Sequence, residues 1–286
     1  GLGDSKASLW FLVVSCVSNI LFDLLFVAVF GMDVAGAALS TSIAMFISWI
    51  VSIVYIRKKF PEIQFTFLPR RFSGTMMKDI LAIGLPVGLN NSLYSLGHVA
   101  LQTFNNSQGA IFMAGGAVAG RITGCSNIAI TGLSSAATTF SGQNYGAKDE
   151  GRCKKIFRLG MLCSVISCGI LSTIFVVFRT FFIGLFTSDP AVYRYAVIRF
   201  LFVLMFECLT SSYEISGGCL RGFGRSMTPA ILTVFGSCVL RLVWLATVCH
   251  WFHDYRLLMV IYPISWVLTG SMVLVAYFRT QKKLFV

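Results

Sequence analysis

Residues 161–178 read MLCSVISCGILSTIFVVF, eighteen consecutive positions without a formal charge. Such a run is too long for a buried strand. It is also too uniform for the surface helix of a soluble domain, where polar residues return with each turn. It has the character of a helix crossing a bilayer, which needs roughly 20 mostly apolar residues. The pattern recurs on both sides. Eight apolar spans run at about 9–30, 34–56, 80–104, 110–143, 156–187, 195–219, 227–252 and 255–278. Over the whole chain 56% of residues are hydrophobic and 12% charged, with a mean hydropathy of +0.80. A soluble domain carries about 25% charged residues. Half that share cannot clothe a water-facing surface, which argues against a soluble bundle. The expected fold is all-α, a polytopic membrane protein of eight transmembrane helices. The fourth span is rich in Gly, Ala, Ser and Thr, so it is expected to pack tightly against its neighbours.

The charge pattern orients the spans. Of 23 Lys and Arg, seventeen fall on one side if the spans alternate, and four on the other: Arg179, Arg194, Arg199 and Arg256. Arg121 and Arg241 stay inside spans. Basic loops remain in the cytoplasm. The N-terminal turn, the 57–79 and 144–155 loops, the 220–226 turn and the C-terminus are therefore expected there, in a multi-pass protein of the plasma (inner) membrane. The net charge of +12 then reflects topology and contact with anionic lipids. A nucleic-acid partner is not expected, because no soluble face exists to gather basic and stacking residues. Nine cysteines, an odd number without a CxxC pair, read as small buried hydrophobes. The three histidines lack partners at ligand spacing, so no metal site is read beyond Na⁺.

The longest polar connection is YIRKKFPEIQFTFLPRRFSGTMMKDI (55–80), which mixes basic and aromatic residues as interfacial segments do. It separates two spans from six. Transporters are often built from two equivalent bundles with the substrate between them. Six spans after the connector imply a partner bundle of six, of which two are present. The division expected is 1–57 for the last two helices of a first lobe, 58–79 for a cytoplasmic connector, and 80–286 for a complete six-helix second lobe. An internal match supports it. GLGDSKASLWFLVVSCVSNILFDLLF (1–26) aligns with GFGRSMTPAILTVFGSCVLRLVWLAT (222–247), each giving Gly-x-Gly-x-Ser before a span. The glycines permit a tight turn, and the serines can cap the helix that follows.

Four stretches resemble the multidrug and toxic compound extrusion (MATE) transporters. They are GLGDSKASLWFLVVSCVSNILFDLLFV (1–27), GMDVAGAALSTSI (31–43), SGQNYGAKDEGR (141–152) and CLRGFGRSMTP (219–229). SGQNYGAKDEGR, similar to the family's loop after the eighth helix, is the most specific. The resemblance runs along the chain and implies helices five to twelve of the usual twelve. On that reading the sequence is a fragment, which fits its opening on a turn without a Met.

Ionisable groups deep in a span are costly and default to functional candidates. Asp23 lies seven residues from the outer end of its span, roughly 10 Å in at 1.5 Å per residue. Asn19, four residues earlier, projects from the same face. With Thr41 of the next span they offer hard oxygen ligands for Na⁺, or a carboxylate for H⁺. In the resembled family an Asn, an Asp and a Thr at matching positions help build a first-lobe cation site. In the second lobe Glu207 and Glu214 stand seven apart on one face of the sixth span. They are candidates for substrate or for a second proton or cation, with Asn90, Tyr94 and Gln102 of the third span. Many family members carry an acid in that third span, and LAIGLPVGLNNSLYSLGHVALQ (81–102) has none. Glu214 either binds a cationic substrate or pairs with Arg241 or Arg121, which read as structural counter-ions. Pro86 is either a bending point or a static kink.

Together these point to a secondary antiporter. The protein is expected to export organic, cationic compounds in exchange for Na⁺ or H⁺, by rocking of two lobes. The expected partners are that small molecule and membrane lipids, and the expected state is a monomer. No GxxxxGK[ST] or nucleophile–base pair is present, so neither an enzyme nor a cofactor is expected. Two alternatives remain. A lipid-linked oligosaccharide flippase would need several cavity arginines and lysines, and only Arg121 and Arg241 qualify. An intramembrane enzyme would need a catalytic cluster that three scattered histidines do not supply.

Overall fold

The computed structural model describes residues 4–62, 73–107, 109–251 and 255–284. Among them the chain is helical, in two compact units, residues 1–73 and 74–286. Among the described residues five helical stretches are long and apolar enough to cross a membrane: Lys6–Val29, Asp33–Lys59, Glu150–Val177, Met227–Val248 and Arg256–Leu284. The surface is strongly apolar, and hydroxyl side chains share the interior with the apolar core. Leu12 is 68% exposed and Val34 84%. Ser40, Ser126, Ser141, Ser164, Ser211 and Ser265 are fully buried. Water would disfavour so apolar a surface. Lipid allows it, because packing between helices in a bilayer relies on small and hydroxyl side chains.

The first unit is a hairpin of α1 (Ser5–Asp23) and α2 (Asp33–Lys59). α1 continues through a π-helical turn, Leu24–Val29, and reverses at Gly31, whose φ of 63° suits glycine. Gly36 brings α2 close to that turn: a Cβ there would lie 3.1 Å from Phe26 Cβ. Farther along, Ser48 Oγ donates to the Phe11 carbonyl at 3.0 Å, and the Phe11 and Tyr55 rings meet edge to face at 5.4 Å. At the open end Asp4, rather than a serine, caps α1 by accepting from the Ala7 N–H at 3.2 Å. The same carboxylate accepts from Tyr55 Oη at 2.7 Å and pairs with Lys59 Nζ at 2.5 Å.

The second unit holds α3 (Gly74–Ser107), α4 (Ala110–Gly146), α5 (Glu150–Val177), the short α6 (Arg179–Gly184), α7 (Pro190–Phe202), α8 (Thr210–Gly222), α9 (Met227–Thr233), α10 (Leu240–Trp251) and α11 (Tyr255–Leu284). The apolar span expected at 156–187 breaks at Phe178, the boundary of α5 and α6. The span expected at 195–219 is two helices joined by a 3₁₀ stretch, Leu204–Leu209, and α9 joins α10 through a π stretch, Val234–Val239.

The expectation of tight packing by α4 holds, and its physical basis is visible. A Cβ on Gly218 would lie 2.7 Å from the Ser134 carbonyl oxygen. One on Gly222 would lie 2.6 Å from that of Thr138 and 2.9 Å from the Gly142 nitrogen. Small residues spaced by four on both helices let the backbones of α4 and α8 touch.

Two sequence motifs prove to be the same device. After α8 the chain turns on Gly224, at φ 75°. The Arg225 N–H bonds back to the Leu220 carbonyl at 2.9 Å, and the Gly224 N–H to that of Arg221 at 3.0 Å. After α4, Lys148 takes the left-handed position at φ 56°. There Asp149 N–H reaches the Asn144 carbonyl and Lys148 N–H that of Tyr145, each at 3.0 Å. Both are Schellman caps. In GFGRS the glycines divide the labour: Gly222 admits α4 and Gly224 makes the turn. Ser226 sits at the N-cap of α9 without a side-chain cap bond, so the expected serine capping does not operate there. Asp149 caps α5 instead, through the Arg152 N–H at 2.9 Å.

Candidate functional site

In the first unit the structure brings Asn19, Asp23 and Thr41 together across the hairpin, and adds Ser40. Asn19 Nδ2 lies 3.3 Å from Thr41 Oγ1 and 3.4 Å from Ser40 Oγ. Ser40 Oγ donates to Asp23 Oδ1 and also lies 2.9 Å from the Ala37 carbonyl oxygen. Thr41 Oγ1 donates to that same carbonyl at 2.9 Å. Ser40 is fully buried, whereas Asn19 and Asp23 are half-buried and Thr41 is exposed. Four oxygen-bearing side chains thus converge within one turn of each helix, with one carboxylate among them. A 180° rotation of the Asn19 amide directs its oxygen at the same hydroxyls. A set of oxygens with one negative charge suits a small hard cation or a proton.

In the second unit both glutamates of the 3₁₀–α8 rod meet α4, as their seven-residue spacing implies. Glu207 is 1% exposed, its Oε1 3.5 Å from Asn127 Nδ2, and its Oε2 is buried without a partner among the described residues. Glu214 Oε2 lies 4.0 Å from Arg221 Nη2, which also donates to Ser134 Oγ at 3.0 Å. Ser134 Oγ in turn donates to the Glu214 carbonyl at 2.8 Å. The cation paired with Glu214 is therefore Arg221, two turns along its own helix, not Arg241 or Arg121. Arg241 instead donates through Nε to Ser265 Oγ at 3.0 Å, with its guanidinium 4.4 Å from the centre of the Tyr262 ring. Gln102 lines a cavity of about 170 Å³ with Arg199 and residues of α4. Asn90 and Tyr94 lie on α3, with side chains outside the described residues, as does that of Pro86.

Ser40 is a member of the cluster that the sequence does not single out. Its signal is the stripe Gly36, Ser40, Ala44 at intervals of four, all buried, which marks the α2 face that α1 covers.

The MatE family model matches residues 86–247. A probable multidrug resistance protein of Bacillus subtilis, YoeA, is 27% identical over 82% of this chain and 52% of its own length. A probable multidrug resistance protein NorM of Thermotoga maritima is 24% identical over 85% of this chain and 53% of its own. The chain spans about half the length of these curated relatives. Among solved structures, an outward-facing multidrug resistance MATE transporter of the MOP superfamily superposes with a TM-score of 0.90 at 20% identity. The match covers 99% of this chain and 64% of that one.

Proposed function

The chain belongs to the MatE family, and from that premise we propose that it works as a secondary antiporter, exporting organic, cationic compounds in exchange for Na⁺ or H⁺. The observation that carries the reading is the convergence of Asn19, Asp23, Ser40 and Thr41 between α1 and α2. A carboxylate inside a span is expensive and is retained where it binds a charge.

The hydroxyls supply the chemistry of coupling. Ser40 has one hydrogen and two acceptors in reach, Asp23 and the Ala37 carbonyl. With Asp23 bare, the hydrogen serves the carboxylate. With a cation on Asp23, it turns to Ala37 and leaves the Ser40 lone pairs for the cation. Thr41, already bonded to Ala37, offers its oxygen in either state. A proton on Asp23 is accommodated by the same rotation. Cation binding drives transport only by favouring one conformation over another. A cation held by both helices of the hairpin favours conformations that keep the two in register.

Glu214, Glu207, Gln102, Asn90 and Tyr94 are assigned to the substrate path of the second unit or to a second cation. The charge asymmetry of the loops supports a plasma (inner) membrane protein with a cytoplasmic C-terminus. The flippase reading is not favoured, since the relatives named above are multidrug resistance proteins.

The test is efflux of a fluorescent organic cation from drug-sensitised cells carrying the complete open reading frame. Efflux should require a Na⁺ or H⁺ gradient and disappear with Asp23→Asn at equal membrane abundance. Efflux that survives collapse of both gradients, or survives the substitution, contradicts the proposal.

A further inference from the structure

We infer that the second unit contains an oxyanion site that takes a carboxylate, built on Arg199 with Arg241 behind it. Arg199 of α7 and Arg241 of α10 flank one aromatic ring. Their guanidinium carbons lie 5.9 Å and 4.4 Å from the centre of Tyr262, which is 7% exposed. Arg241 is 2% exposed. Arg199 Nε and Arg241 Nη2 are buried without an acceptor among the described residues, and neither guanidinium forms an ion pair with a described carboxylate. Guanidinium groups stay charged, and a buried, uncompensated cation is strongly unfavourable. Arg241 is such a cation, and Arg199, half-buried on the other side of the ring, opens onto a cavity; two positive groups around one ring call for an anion.

The space for it adjoins Arg199. A cavity of about 170 Å³ is lined by Arg199, Gln102, Phe112, Met113, Gly116 and Gly120. A cavity of about 150 Å³ admits a benzene ring. The two glycines form its floor under the guanidinium: a Cβ on Gly116 would lie 3.5 Å from Nη1, and one on Gly120 3.8 Å from Nη2. The planar fork suits bidentate contact with a carboxylate. Phe112, Met113 and the glycine backbone suit an apolar or aromatic body attached to it. A phosphate dianion would bring more acceptors than these walls have donors. Arg241, across Tyr262, adds positive potential without touching the ligand.

This goes beyond the antiporter reading and does not depend on it. The site would let an exported compound carry an acidic group, or let a free organic anion modulate the second unit. Binding is measured without transport, so each reading can fail alone.

The test is calorimetric titration of the purified full-length protein with benzoate at low ionic strength, with neutral benzamide as the isosteric control. Benzoate should bind saturably and benzamide should not. Arg199→Gln should weaken benzoate at least tenfold, and Arg241→Gln several-fold. Should Arg199→Gln not yield folded protein, Gly116→Leu fills the cavity with both arginines kept, and should abolish benzoate binding. Equal binding of benzoate and benzamide overturns the inference. So does wild-type affinity in Arg199→Gln or in Gly116→Leu.

Discussion

The Ser40 hydroxyl of α2 donates a hydrogen bond to the Asp23 carboxylate of α1, tying the two helices of the first unit at its polar cluster. On the antiporter reading proposed above, this hydroxyl is a ligand for the coupling cation. Ser40→Ala removes that oxygen while sparing the charge. A hydrogen bond of this kind is worth about 0.5–1.5 kcal/mol net. The cation concentration for half-maximal efflux should therefore rise by roughly 2- to 10-fold. The maximal rate should change little. A dose–response of efflux against the driving cation reads both quantities.

Thr41→Val deletes a second oxygen on the exposed side of the cluster and conserves volume. Its effect should be in the same direction and smaller, because water can replace an exposed ligand. A larger effect than that of Ser40→Ala, in the same assay, would reverse the assigned order of the two hydroxyls.

Gly222→Ala puts a methyl 2.6 Å from the Thr138 carbonyl oxygen, at backbone that cannot yield without moving α4. Overpacking of this type costs about 1–3 kcal/mol. At Gly132, on α4 itself, a methyl would meet nothing within 4 Å. Gly132→Ala should be neutral, or stabilising by about 0.5–1 kcal/mol through helix propensity. Thermal unfolding of the two detergent-solubilised variants should shift in opposite directions, or shift only for Gly222→Ala.

Asp4 has its pKa lowered to about 2, chiefly by the hydrogen bond from Lys59, with Tyr55 and the Ala7 N–H adding to it. The folded value lies below the ordinary 3.8. The stabilisation is thus present above pH 3.8 and is lost as pH falls towards 2. Asp4→Asn should lower the melting temperature of the protein at pH 5, and the gap to wild type should narrow as the pH falls from 3.8 through 2. A gap that persists unchanged across that range would mean the charge is irrelevant to the end of the hairpin.

The helices are legible in the sequence because a span must be apolar along its whole length, and no other element tolerates that composition. Asp23 is legible for the same reason, since a carboxylate in an apolar run stands out, and Asn19 follows from its four-residue spacing to it. Ser40 is not, since serine is common in the buried faces of such helices, as Ser134, Ser164 and Ser211 illustrate. Only the stripe it shares with Gly36 and Ala44 distinguishes it. The 3₁₀ stretch LMFECL and the π stretch LLFVAV contain no Gly or Pro, so nothing local announces them; the first buries Leu204 and Glu207, the second none of its residues. The Glu214–Arg221 pair is hidden for a different reason. Arg221 reads as part of a basic cytoplasmic turn, whereas Arg121 and Arg241 stand inside spans and compete for the same acid. Only the continuation of α8 to Gly222 brings Arg221 onto the helix that carries Glu214.

The most direct measurement is substrate transport in proteoliposomes of the full-length protein, with a Na⁺ or an H⁺ gradient imposed separately. The wild type should move a fluorescent organic cation against its gradient under at least one of the two. Asp23→Asn should bind that cation and fail to concentrate it. Uphill transport by Asp23→Asn at the wild-type rate would remove the hairpin cluster from the coupling mechanism.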